Sequence, residues 1–76
     1  MTRLNPIERY RTACGLTQAA LANRLGVNVN SVRAWEAGAK PRARQIPALA
    51  SLFNVDPVKL VDEIEAWRQQ EGKAAA

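Results

Sequence analysis

The 76-residue chain predicts an all-α fold, a bundle of five short helices joined by tight turns. Three observations carry this expectation. Apolar residues recur at three- and four-residue spacings and nowhere alternate as a strand would. Helix-start signals (Asn, Thr or Asp, twice followed by Pro) and helix-stop glycines punctuate the chain at short intervals. Fourteen alanines, against one Met, one Tyr, one Phe and two Trp, leave a small core suited to helices packed closely through small side chains.

Asn5-Pro6-Ile7-Glu8 opens the first helix, with Asn as the cap, Pro where a missing N–H does no harm, and Glu in the first turn. It runs to about residue 14, where Gly15 ends it, and Ile7, Tyr10, Arg11 and Cys14 share one face. Thr17 caps a second helix over residues 18–25, with Leu21, Ala22 and Leu25 inward and Gly26 as its terminator. After Val27, Asn28 caps a third helix that turns Val32, Trp35 and Glu36 inward and ends at Gly38. Pro41 disfavours helix just before it, so residues 39–43 form a basic loop. The fourth helix covers residues 44–53, with Ile46, Leu49, Ala50 and Phe53 inward, Pro47 tolerated in the first turn and Asn54 closing it. Asp56-Pro57 opens a fifth helix whose stripe is Leu60, Val61, Ile64 and Trp67. Residues 1–71 read as a single domain and residues 72–76 as a disordered or frayed tail.

Composition narrows the function. There is no His and a single Cys, so the chain has no zinc cluster, disulfide framework or Ser/His or Cys/His pair. An enzyme is not expected, nor a cofactor, metal or small-molecule substrate. Cys14 reads as a small core residue. Charge is uneven: up to Arg44 there are eight bases and two acids, and from Gln45 onward three bases and five acids. With a pI near 10.0, the basic end suits a polyanion while the acidic end faces away. No run is long enough for a membrane span and no signal-peptide core opens the chain, so a soluble, cytosolic protein is expected.

The most informative stretch is residues 18–35. Two short helices separated by so tight a turn cannot lie antiparallel and must cross steeply. Ala22 permits close approach, Gly26 can take positive φ, and Leu21, Leu25, Val27, Val32 and Trp35 fill the angle. This is a helix-turn-helix pattern. The run Leu16-Thr17-Gln18-Ala19-Ala20-Leu21-Ala22 through Gly26, then Ser31-Val32-Arg33-Ala34-Trp35-Glu36-Ala37-Gly38, resembles the phage repressor and Cro family of DNA-binding domains. The resemblance continues through Pro41, residues 46–53 and residues 55–61. It implies a lambda-repressor-like five-helix domain whose third helix lies in the major groove, acting as a homodimer on an inverted-repeat operator in a prokaryotic or phage-infected cell, near the nucleoid.

With Val32, Trp35 and Glu36 inward, the third helix turns Val29, Asn30, Arg33, Ala34 and Ala37 outward beside the cap Asn28. Asn28, Val29, Asn30, Arg33 and Ala34 are the candidate base readers. Asn pairs bidentately with adenine and Arg with guanine, each discriminating by roughly 1–3 kcal/mol, and Val29 or Ala34 suits a thymine methyl. An Arg33 that meets only phosphate is the alternative. Candidate phosphate contacts are Thr17, Gln18, Ser31, Lys40, Arg42 and Arg44; the family uses the residue equivalent to Gln18 at the positive end of the second helix in this way. The resemblance also implies a partly buried ion pair between Arg11 and Glu36. Val29 and Asn30 stand where well-known phage repressors often carry Gln, and Ala37 stands where the family often has Asn, so neither the operator nor that backbone contact carries over.

The expected function is therefore a sequence-specific, double-stranded-DNA-binding transcriptional regulator, a repressor in the first reading. The alternative is an antitoxin-like interaction module that meets a protein partner through Leu60, Ile64 and Trp67; Trp67 either packs on its own domain or anchors that interface.

Overall fold

A computed structural model describes residues 4–72. Five helices follow one another: α1 (Pro6–Ala13), α2 (Gln18–Leu25), α3 (Val29–Ala37), α4 (Gln45–Phe53) and α5 (Pro57–Trp67), the last continuing into a π-helical turn over Arg68–Gly72. No strand occurs among the described residues. Residues 73–76 of the expected tail lie outside them; Gly72 belongs to the π-helical turn.

Side-chain acceptors start four of the helices. Asn5 Oδ1 accepts from the Ile7 N–H at 2.8 Å, Thr17 Oγ1 from Ala20 at 3.0 Å, Asn28 Oδ1 from Asn30 at 2.8 Å, and Asp56 Oδ1 from Val58 at 2.8 Å. Each satisfies a donor that the helix itself leaves orphaned. The exception is α4. It starts at Gln45, one residue later than the sequence predicts, because an arginine offers no acceptor: Arg44 is the flanking residue, and a turn with Gln45 N–H on Arg42 O at 2.8 Å leads in.

The ends of the first four helices share one device. The residue after a left-handed position reaches back five residues: Leu16 N–H to Arg11 O (3.1 Å), Val27 to Ala22 (3.0 Å), Ala39 to Ala34 (2.9 Å) and Val55 to Ala50 (2.9 Å). The turn between α2 and α3 depends on it, because Gly26 sits at φ 70°, a conformation that costs a residue with a Cβ about 1–2 kcal/mol. Asn54 does the same work at φ 58° without being glycine, as short polar side chains can.

The core draws on every helix: Ile7, Leu21, Val32, Leu49 and Leu60 are fully buried, and Trp35, Ile46, Phe53 and Ile64 nearly so. Burial of each large side chain contributes about 1.5–3 kcal/mol. Asn5 joins this interior, since its Nδ2 donates to Trp35 O at 3.0 Å while its Oδ1 caps α1, binding the start of α1 to the end of α3. Between α1 and α5, Glu63 accepts from Arg9 Nη2 and from the Tyr10 hydroxyl, both at 2.5 Å, and Tyr10 stacks on Phe53 at 5.4 Å. Burial alone would raise the Glu63 carboxyl, but the bonds from Tyr10 and Arg9 and the nearby charges of Arg9 and Lys59 outweigh it and hold the group below its ordinary value. The bond to Glu63, with burial, pushes the Tyr10 hydroxyl upward.

Two expectations are corrected here. Cys14 is exposed, not a core residue. It follows the last residue of α1 and caps that helix, where the chain is already turning into Gly15 and no neighbouring helix covers it. Leu60 and Ile64 retain 0% and 3% of their exposure, so neither offers a surface to a partner. With α1 and α4 both packed on α5, Leu60 and Ile64 are consumed inside the domain, while Val61 and Trp67 stay half-buried.

Candidate nucleic-acid interface

The outer face of α3 is open. Asn30, Arg33, Ala34 and Ala37 are exposed, while Val32 and Trp35 anchor the opposite side in the core. Arg33 Nη1 donates to Asn30 Oδ1 at 3.3 Å, one helical turn back, so the two polar side chains of this face lie together. Asn28 is exposed, but its Oδ1 is committed to the cap, which leaves its amide N–H groups. Val29 departs from the face expected of it: it is half-buried and packs against the core, because the first turn of α3 lies close over α2.

Beside α3 lies a polar cleft of about 340 Å³ lined by Ser31, Lys40, Arg42, Arg44 and Gln45 over a floor of Val27 and Trp35. Among the described residues no carboxylate lies within ion-pair distance of Arg24, Arg33, Arg42 or Arg44. Lys40 differs, since its Nζ is 3.1 Å from Glu65 Oε1, where Arg68 Nη1 also approaches at 3.6 Å. Those contacts are charge proximity without hydrogen-bond alignment. Gln45 belongs to the cleft although the sequence did not mark it. Reading Arg44 into α4 hid it, because Gln45 is the first helical residue and sits where the basic loop ends.

A network of side chains holds α2 against α1 and α3. Glu36 Oε2 accepts from Arg11 Nε at 2.6 Å, and its Oε1 accepts from Gln18 Nε2 at 2.9 Å and from Arg11 Nη2 at 3.4 Å. Arg11 Nη1 donates to Leu16 O at 2.8 Å. The Arg11 and Glu36 side chains are only 12% and 7% exposed. Gln18 is thus bound to the protein through the amide that the sequence assigned to a phosphate. The reason is electrostatic: a largely buried carboxylate with spare lone pairs lies within its reach, and satisfying it outweighs leaving the amide in water. Thr17, exposed, keeps its hydroxyl hydrogen, since its oxygen is what caps α2.

The family model for the helix-turn-helix, of the phage repressor and Cro type, matches residues 7–60, from α1 into α5 and well over half of the chain. The chain belongs to this family. A helix-turn-helix protein of this type is a DNA-binding transcriptional regulator, and double-stranded DNA is its partner. Neither a curated protein nor a solved structure gives a significant match to the chain. The helix-turn-helix pair itself is α2 and α3, and no helix among the described residues is long and apolar enough to cross a membrane. Trp67, offered above as either a self-packed residue or an interface anchor, is half-buried, with Cζ3 3.7 Å from where a Cβ would stand on Gly38. The neighbouring Arg68 Nε donates to Gly38 O at 2.9 Å. The end of α5 therefore closes over the end of α3.

Proposed function

We propose that this single-domain chain is a sequence-specific repressor that lays α3 in the major groove of duplex DNA as a homodimer on an inverted-repeat operator. The observation that carries the reading is the open polar face of α3, flanked by arginines with no carboxylate partner among the described residues. Asn30 and Arg33 are the base readers, Ala34 meets a thymine methyl, and Asn28 donates its amide at the edge of the groove. Val29 contributes only its exposed edge. Thr17, the first N–H groups of α2, Ser31, Arg42 and Arg44 hold phosphates, with Lys40 joining once DNA draws it from Glu65. Gln18 supports the phosphate site by fixing α2 to Glu36. Such a protein works where the DNA is, in the nucleoid of a prokaryote or of a phage-infected cell.

Selection of bound genomic fragments tests the proposal. A recovered motif with two-fold symmetry is the expected result, with affinity falling steeply as salt rises, by a log–log slope of about 0.9 per neutralised phosphate. Arg33→Ala should flatten base preference at one position of each half-site, whereas Arg42→Ala should weaken all sequences alike. Binding that ignores sequence in the wild type would refute the reading.

A further inference from the structure

We propose that Glu65 is a built-in competitor for DNA: its carboxylate holds Lys40 in the free protein, passes to Arg68 when a phosphate takes Lys40, and so sets the affinity of the whole interface without touching a base. The inference rests on the reading of Lys40 as a phosphate contact and names what regulates that contact. Three cations line the cleft beside α3: Lys40, Arg42 and Arg44. Arg42 and Arg44 have no carboxylate within ion-pair distance among the described residues, whereas Lys40 Nζ stands 3.1 Å from Glu65 Oε1. Glu65 belongs to α5, which lends no residue to the lining of this cleft. Lys40 therefore bridges the cleft and a carboxylate outside it.

The contact is suited to exchange. Glu65 Oε1 is buried yet accepts no hydrogen bond, so this oxygen has lost its water and is held by charge alone. A DNA phosphate offers the same ammonium an aligned, charge-assisted hydrogen bond and releases counterions besides. The Lys40 side chain is 57% exposed, and its flexible stem can turn from one anion to the other. Releasing it does not strand Glu65, because Arg68, one turn further along, already has Nη1 3.6 Å from the same oxygen. Arg68 stays fixed meanwhile: its Nε donates to Gly38 O at 2.9 Å, so the end of α5 keeps its hold on the end of α3.

Fluorescence-anisotropy titrations of the full chain, on a duplex recovered by genomic selection and on a scrambled duplex of the same length, test the competitor. Glu65→Gln keeps the shape and removes the charge. It should tighten both duplexes by the same factor, roughly two- to fivefold at low salt, as expected from releasing one solvent-accessible ion pair. The gain should shrink as salt rises. Asp62→Asn is the control: Asp62 is exposed on the same helix and has no ion-pair partner among the described residues, so the variant makes the same charge change away from Lys40 and should gain less. In a Lys40→Ala background, Glu65→Gln should gain no more than Asp62→Asn does. A Glu65→Gln protein that binds no better than Asp62→Asn, that binds more weakly, as loss of a positioning brace would make it, or that keeps its full gain without Lys40 would overturn the proposal and leave the regulator reading intact. A wild type that binds neither duplex at low salt defeats the regulator reading and the competitor with it.

Discussion

Replacing Glu36 with alanine removes the acceptor on which three elements converge. Arg11 would keep its bond to Leu16 O but lose two bonds to the carboxylate, and Gln18 would lose the hydrogen bond that ties it to α3. Both members of the ion pair are close to nine-tenths buried, so water replaces the carboxylate poorly. Stranding one partner of a buried pair costs about 3–5 kcal/mol. The retained bond to Leu16, and the position of Arg11 at the rim of α1, favour the lower end. Against a total stability of roughly 4–11 kcal/mol for a chain of this length, that is a large share. A loss of about 3 kcal/mol corresponds to a fall in Tm of roughly 12–24 °C, measured by circular dichroism or calorimetry. Replacing the pair together, Arg11→Met with Glu36→Leu, should recover most of the loss, since two apolar side chains leave no stranded charge. Base preference in the surviving folded fraction should be unchanged. A Glu36→Ala protein that melts within a degree or two of the wild type would refute the claim that this network holds α1, α2 and α3 together.

The Arg9–Tyr10–Glu63 cluster predicts pH dependence at both extremes. Glu63 is held below its ordinary 4.5, so its stabilisation is present above that value and disappears as pH falls through the lower folded value; Glu63→Gln should flatten this acid limb of a Tm-versus-pH curve. Tyr10 is raised above 10.0, so its contribution is present below 10.0 and disappears as pH rises through the folded value; Tyr10→Phe should remove that alkaline step. Gly26→Ala meets no atom within 4 Å but must hold φ near 70°, so chemical denaturation should show a loss of about 1–2 kcal/mol from backbone strain alone. Because Asn30 and Arg33 are hydrogen-bonded, a double-mutant cycle on operator binding should be non-additive by about 0.5 kcal/mol or more; additive losses would mean that the two side chains act independently.

Much of the architecture was legible because its signals are local. Asn5, Thr17, Asn28 and Asp56 cap the helices they were read to cap, and Gly15, Gly26, Gly38 and Asn54 stand at the positive-φ ends. A cap is a matter of one side chain and an N–H two or three residues away, so spacing alone exposes it. What the sequence left illegible was decided by neighbours in space. Leu60 and Ile64 look the same in the sequence whether a partner or α1 and α4 cover them. Lys40 and Gln18 both read as phosphate contacts, and nothing local shows that α5 brings Glu65 to the one and α3 brings Glu36 to the other. Asn5 was visible as a cap, but its second bond, thirty residues away on Trp35 O, had no local trace.

Helix number, the capped ends, the tight turn at Gly26 and the basic bias of the first forty-four residues were thus settled by order along the chain, since each depends on covalent neighbours or on a sum of charges. Which polar groups remain available, and which apolar stripe stays uncovered, was decided only when the helices packed. A buried carboxylate recruits whatever donors surround it, and a hydrophobic face is an interior or a surface according to what lies across from it.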